Sequence, residues 1–400
     1  MNILFVNDIP FNPIAGGIER VTDALAKELV KRGHAVYYLC EKVGPIRTSL
    51  LEYSFPVPLY QFPYVGRTNN KENINYYRNL LLELKVDIVV NQRGLAGGYN
   101  DLLPITSAKI ISVIHSVPNA YVIRELANII KSTKPPFIHL KKIIKIFLYP
   151  IMYYYWKNRW LNETKKAYLE LSRYSDVIVT LSDADARIMQ DMLNTDDKHK
   201  VIHIPNPNTF DDSSIGVNAK DNILLFVGRL TKLEKAPHRL LKIWTYLHKK
   251  HTDWKLVIVG DGEEKDAMIS YVRRKGLINV FFEGKQLDVA SYYKKAAFVC
   301  LTSNFEGWGM ALTEGMQYGC IPFTFDNYGA ASEIIDNGLN GCLIHSFDIK
   351  QYAERLSMLM SDDSRRAEMS LAAFEKVKEF SVENVVMRWD KLFQSLYDHP

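Results

Sequence analysis

The sequence predicts an α/β protein of two domains, each a parallel sheet covered by helices. The chain opens with NILFVN at 2–7, a loop holding Pro10, Pro13, Gly16 and Gly17, and a helix-spaced run, IERVTDALAKELVKRG. A second apolar strand follows at 35–40. A strand, loop, helix and strand in that order join parallel neighbours. The same plan recurs at 222–227, where NILLFV echoes NILFV and a glycine, a loop and a helix again follow. This is a weak structural repeat rather than a solenoid. Finally, 400 residues, 47% of them hydrophobic, exceed one ordinary core and suit two domains of roughly 200 residues. The best linker is the polar stretch that follows Asn206-Pro207-Asn208, so the domains are set at 1–207 and 208–381, with a last helix beyond 382.

Composition narrows the class. Aromatic content is high at 12% and charged content ordinary at 24%, as expected of a folded globular chain. Cys40, Cys300, Cys320 and Cys342 sit in apolar runs without metal-ligand spacing and read as core thiols in a reducing compartment. The first residues lack a basic n-region, and no apolar run reaches the eighteen or so residues of a membrane span. A soluble or peripheral cytoplasmic protein is therefore expected. Residues 1–200 carry 26 Lys and Arg against 19 Asp and Glu, which leaves the first half at +7 and the remainder at −2. A basic first half suits an acidic or membrane-bound partner, and no nucleic-acid motif accompanies it.

In the first domain the Gly16-Gly17 turn opens a helix, where free N–H groups can meet a diphosphate or simply make a tight turn. The G-x-G-x-x-G dinucleotide fingerprint is absent, which counts against a dehydrogenase. Residues 45–75 show no period and read as loop. Further buried strands are expected at 87–91 and 109–115, and His115, at the carboxyl end of the second, is a site candidate because ligands gather at that edge of an open parallel sheet. Lysines and arginines from 131 to 166 interleave with IIKIFLYPIMYYYWKNRW. An interfacial helix on anionic headgroups fits this pattern, and so does a helical lid with a solvated basic face. Strands at 176–181 and 201–205 close the domain.

The second domain holds the organising stretch, FVCLTSNFEGWGMALTEGMQYGCIP, from 298. An apolar strand runs through the Glu306-Gly307-Trp308-Gly309-Met310 turn into a helix. Glycines let a ligand approach the backbone, and the helix start offers N–H groups and a positive dipole end, which together make a phosphate seat. Glu306 and Glu314 frame it. Carboxylates do not bind phosphate but accept hydrogen bonds from hydroxyls, so a diphosphate flanked by hydroxyl-rich groups, a nucleotide sugar, fits the pair. Arg229 and Lys235 follow the 222–227 strand and can neutralise a diphosphate as its bond to a sugar breaks. Strands at 254–260 and 279–284 complete the pattern.

These residues together resemble the E-x7-E signature of retaining nucleotide-sugar glycosyltransferases, glycosyltransferase family 4, whose fold is GT-B: two Rossmann-like domains facing each other across a cleft. The likeness is strongest from 222 to 343. It implies that Glu306 contacts the transferred sugar, Glu314 holds the ribose, and the N–H groups near Gly309 and Met310 bind the diphosphate. It further implies that Arg229 and Lys235 pair with that diphosphate, that backbone near Gly284 holds the base, and that Gly16 and Gly17 lie under the phosphates with His115 near the sugar. The last helix is expected to cross back onto the first domain. Trp308 stands where phenylalanine is usual, and Ala236 where glycine is common after the lysine. The activity implied is transfer of a hexosyl group, from a UDP-sugar by preference, to a glycan or lipid-linked saccharide in surface polysaccharide or lipopolysaccharide synthesis. No cofactor and no metal are expected, since Arg229, Lys235 and two helix starts could replace a divalent ion. The same fold serves nucleotide-sugar 2-epimerases and phosphorylases, and a non-catalytic nucleotide-sugar-binding subunit is a third reading.

Overall fold

The computed structural model describes residues 1–41, 43, 49–64, 70–95, 107–120, 139–210, 216–217 and 219–398, with backbone alone for 139–152. Two all-parallel sheets form. The first has seven strands in the order β3-β2-β1-β4-β5-β6-β7: β1 Asn2–Asn7, β2 Ala35–Cys40, β3 Leu59–Gln61, β4 Ile88–Asn91, β5 Lys109–Ile114, β6 Val177–Thr180 and β7 Val201–His203. The second has six in the order β10-β9-β8-β11-β12-β13: β8 Asp221–Val227, β9 Lys255–Val259, β10 Val280–Gly284, β11 Ala296–Cys300, β12 Ile321–Asp326 and β13 Cys342–His345. In each sheet the strand order reverses beside the opening strand, between β1 and β4 and between β8 and β11. Crevices of this kind at strand carboxyl ends are where such sheets bind ligands.

The echo between NILFV and NILLFV is thus the same element twice, the central strand of its own sheet. Central parallel strands are covered on both faces and so read as unbroken apolar runs. Ile3 to Val6 and Leu224 to Phe226 are fully buried. Helix α1 (Gly17–Lys31) buries Val21, Leu25, Ala26 and Leu29, one stripe at helical spacing. Helix α2 covers Lys71–Glu83, α3 His139–Tyr174 and α4 Asp183–Met192; Ser182 caps α4, its Oγ accepting from the Asp185 N–H.

The reading of 45–75 as loop is corrected: it contains β3 and the start of α2. A three-residue strand carries no detectable alternation, and β3 is recognised only by its pairing with β2. The strands β12 and β13 likewise lay unmarked in the sequence. The basic segment from 131 lies outside the described residues up to 138 and as backbone alone to 152. Within α3, Trp156 and Trp160 stack at 5.3 Å, and Arg159 lies over Trp156 and bonds Glu163 at 3.0 Å, while Tyr154 and Tyr155 are exposed. Among the described residues no helix is long and apolar enough to cross a membrane.

In the second half α5 spans His238–Leu247, α6 Lys265–Lys275, α7 Ala290–Lys295, α8 Met310–Gln317, α9 Ala331–Ile334, α10 Ile349–Met360, α11 Asp363–Val377 and α12 Val382–Asp398. Helix α12 packs on α1 in the first half. It buries Val385, Val386, Trp389 and Phe393, and its Asp390 accepts from Arg32 at 3.2 Å and pairs with His34 at 3.1 Å. One apolar cluster therefore runs from Ile3, Phe5 and Val90 through α12 into the second sheet, tying the halves together beside the linker, where the Asn208 N–H donates to the Phe380 carbonyl at 2.7 Å. All four cysteines are free and buried, and burial raises each thiol's pKa, for Cys40 and Cys300 to about 12, which leaves them inert core groups.

Candidate functional site

The site forms where the carboxyl ends of the two sheets meet. After β11, Thr302 and Ser303 are buried, and the chain turns through Glu306 to Gly309, which holds φ 98° as the residue before α8. That left-handed geometry strongly favours glycine. The first N–H groups of α8 have no partner within the helix, and Met310 and Ala311 at its start are only partly buried. Gly309 and Met310 thus stand at an open helix start, the feature from which the sequence led to an anion seat being expected.

Lys235 joins it. Its Nζ donates to both oxygens of Glu306 at 2.7 and 2.8 Å, and Ser303 Oγ donates to Oε1 of the same carboxylate. Glu306 is 8% exposed, while the Lys235 side chain is 23% exposed, so the carboxylate is nearly dry and its cation still meets solvent. Arg229 follows β8 as expected but is 70% exposed and bonds Glu234 at 2.7 Å; the structure leaves it at the rim, beside the pair rather than in it. Ala236, after the lysine, adopts φ 44°. The glycine common there has a physical reason, and alanine carries about 1 kcal/mol of backbone strain in its place.

The first half meets this turn directly. A Cβ at Gly307 would stand 2.0 Å from the carbonyl oxygen of His115 and 3.2 Å from Ser116 Cα, and Gly17 lies 3.8 Å from Met310 by the same measure. His115, just past β5, pairs through Nε2 with Oε1 of buried Gln92, and burial lowers its pKa to about 4. It is a neutral imidazole at pH 7 whose proton Gln92 fixes on Nε2. Gly16 is extended, and beneath it buried Glu19 accepts from Asn7 Nδ2 at 2.9 Å; burial raises its pKa. Asn206 Nδ2 donates to Met310 Sδ at 3.6 Å.

Glu314 sits one turn into α8, 3% exposed. Arg20 of α1 bonds its Oε1 at 2.9 Å, Thr209 donates to the same oxygen, and Tyr293 donates to Oε2 at 3.0 Å. The structure does not bring Glu314 into the Lys235–Glu306 cluster; it holds the carboxylate against the opposite half. Gly284 ends the edge strand β10, and its carbonyl accepts from the Gly260 N–H at 2.7 Å. Glu333 on α9 reaches into the other half: it accepts from the Asp183 N–H at 2.6 Å at the start of α4. Trp308 is buried against Phe380, ring centres 5.0 Å apart, and its indole N–H has no partner among the described residues. No cluster of three or more metal-ligating side chains occurs among the described residues.

Sequence reasoning missed Arg20, Ser303, Gln92, Thr209 and Tyr293. Arg20, Gln92, Thr209 and Tyr293 act on partners that only tertiary packing supplies, whereas Ser303 meets Glu306 three residues on in the same turn. The available signals were that short spacing and, for Arg20, its place a helical turn from Gly17.

Comparison with known proteins follows the same lines. Residues 208–376 match the family model for Glycosyl transferases group 1, and residues 15–207 that for Glycosyltransferase Family 4. An uncharacterized glycosyltransferase of Haemophilus influenzae is 27% identical over 215 residues, 54% of this chain and 60% of its own. The amylovoran biosynthesis glycosyltransferase AmsD of Erwinia amylovora is 30% identical over 186 residues, 46% of this chain and 51% of its own. The Campylobacter jejuni protein named GalNAc-alpha-(1->4)-GalNAc-alpha-(1->3)-diNAcBac-PP-undecaprenol alpha-1,4-N-acetyl-D-galactosaminyltransferase is 30% identical over 174 residues, 43% and 48%. The chain thus spans about half the length of the curated relatives it matches. Among solved structures, a variant of S. aureus TarM in complex with fondaparinux, alpha-GlcNAc-glycerol and UDP superposes with a TM-score of 0.75 at 14% identity, over 98% of this chain and 99% of that one. Anabaena HepE in complex with UDP and glucose gives 0.71 at 16%, over 99% and 100%. At such identities the likeness shows the fold, which is GT-B.

Proposed function

Because the chain belongs to the group 1, family 4 glycosyltransferases, we propose that it transfers a hexosyl group from a nucleotide diphosphate sugar to a glycan or lipid-linked saccharide, with retention of anomeric configuration. One observation carries the reading: Lys235 and Glu306 meet beside the open start of α8, directly beneath His115 of the other half. Cations and amides gather where a diphosphate fits, and hydroxyl-accepting groups stand next to them. That several relatives act, by name, on lipid-linked or polymeric acceptors, and that solved neighbours hold UDP, supports a UDP-sugar donor.

In this reading the diphosphate draws Lys235 from Glu306 and lies on the Gly309 and Met310 N–H groups and the Arg229 guanidinium, with Gly16 and Gly17 opposite. Glu306, freed of its cation, accepts from sugar hydroxyls. Neutral His115 contacts the sugar without adding charge, Glu314 takes the ribose, and backbone near Gly284 takes the base. The incoming hydroxyl attacks from the side the diphosphate leaves, and the leaving phosphate takes its proton. Fixed cations and amides stabilise the charge that develops, so no divalent ion is required.

The test is direct. Donor sugars carrying UDP or GDP are screened by thermal shift, since a ligand of the folded state raises its melting point. Nucleotide release is then followed with and without EDTA, and the product anomer is read by NMR. Inversion, or full loss of activity in EDTA restored by magnesium, contradicts the reading. Epimerisation without acceptor, or dependence on inorganic phosphate, would indicate one of the other GT-B activities.

A further inference from the structure

Arg20 has no role in the mechanism above, yet it reaches across the cleft to the carboxylate assigned to the ribose. It lies on α1 a turn beyond Gly17, and its NH1 stands 2.9 Å from Glu314 Oε1. Thr209 reaches the same oxygen at 3.4 Å, and the Tyr293 hydroxyl takes Oε2 at 3.0 Å. A carboxylate offers about four lone-pair sites, so acceptor capacity remains. Room does not, because the Glu314 side chain is 4% exposed. A ribose hydroxyl cannot reach it while Arg20 stays.

Arg20 is the less committed partner. Its side chain is 29% exposed, and its Nε is buried with no hydrogen-bond partner. It borders a cavity of about 640 Å³, walled by the outer face of α1, the linker at Asn208 and Thr209, and the start of α12, with Asp23, Glu28 and Glu383 in the wall. Asn208 Oδ1 and Gln317 Oε1, both buried in that wall, also lack partners. The cavity gives the guanidinium space to swing, and its acceptors and carboxylates give it somewhere to go.

We propose that Arg20 gates the ribose subsite. Arg20 pairs with Glu314; with nucleotide bound it turns into the neighbouring cavity and Glu314 passes to the ribose. The inference rests on the assignment of Glu314 to ribose made above. Exchanging one partly buried ion pair for other polar partners is close to balanced, which is what a switchable contact needs. Apparent nucleotide affinity is then lowered by the fraction of chains in which the gate stands open.

Calorimetric titration with UDP and, separately, inorganic pyrophosphate separates the outcomes, because pyrophosphate has no ribose. Arg20→Ala is expected to bind UDP about tenfold more tightly than the wild-type chain while its pyrophosphate affinity stays the same. Should the alanine variant fail to fold with Glu314 left unpaired, Arg20→Gln keeps a donor for that carboxylate, removes the charge and shifts affinity in the same direction. Weaker or unchanged UDP binding by the folded variant overturns the gate alone. A wild-type chain that binds neither probe overturns the nucleotide-sugar reading, and the gate falls with it.

Discussion

Replacing Gly307 by alanine is expected to cut turnover about 100-fold while leaving both domains folded. The backbone at 307 is not in the left-handed region, so alanine suits it locally. The obstacle is the other half of the molecule: the new Cβ would lie 2.0 Å from His115 O and 2.8 Å from its carbonyl carbon. A carbon-to-oxygen contact settles near 3.3 Å, so the halves must part by roughly 1.3 Å at this point. Both sides are backbone, and neither can rotate away. Overpacking of this kind costs about 1–3 kcal/mol where structure must yield, but here the cleft opens instead of a core, so the melting temperature should move little. Separation of about 1 Å between Glu306 and His115 corresponds to a loss of about 100-fold in rate. Nucleotide release under saturating donor, paired with thermal denaturation and UDP titration, measures the three quantities independently. Wild-type turnover in a folded Gly307→Ala chain would show that the closed contact is no part of the reacting geometry.

Other expectations follow from the same contacts. Glu306→Gln should lower kcat by at least about 100-fold with little change in UDP affinity, whereas Glu314→Gln should act mainly on affinity; equal effects on both quantities in both variants would refute the division of roles. His115 is held neutral, so between pH 6.5 and about 4 the unfolded chain takes up a proton that the folded chain refuses. Its contribution to stability is intact above pH 6.5 and falls as pH drops toward 4, by up to about 1.4 kcal/mol per pH unit. His115→Asn should flatten that part of the denaturation profile, and an unchanged slope would contradict the assignment. Trp308→Phe removes a buried unpaired N–H and some packing together, so stability should change by no more than about 1 kcal/mol. Glu333→Ala removes the acceptor of the Asp183 N–H at the start of α4 while leaving the Ser182 cap, and should cost about 1 kcal/mol by urea denaturation, with Glu333→Gln recovering part of it.

How much was legible in the sequence depended on how local its cause was. The strand-turn-helix at Glu306 to Gln317 could be read because glycine at 309 answers a backbone angle and the apolar run before it answers burial, both set within a few residues. The repeat of NILFV as NILLFV could be read because a central parallel strand is apolar throughout wherever it occurs. By contrast β3, β12 and β13 went unmarked: a three-residue edge strand has too few positions to show a period, and β12 and β13 take their place by pairing with β11 and with each other. The binding of Glu314 by Arg20, of Glu306 by Lys235 and of the α4 start by Glu333 joins residues far apart in the chain. No spacing encodes such contacts.

By itself, then, the sequence determined the two sheets, the glycine turn, the cations after β8 and the family to which they belong, because propensity, periodicity and backbone strain act over short stretches. Only the tertiary structure decided that Arg229 stands at the rim while Lys235 lies inside, that Glu314 faces α1, and that Glu333 serves the opposite half. Those outcomes depend on how closely two separately formed surfaces approach, and that distance is set by the packing of α1, α12 and the glycine turn against one another.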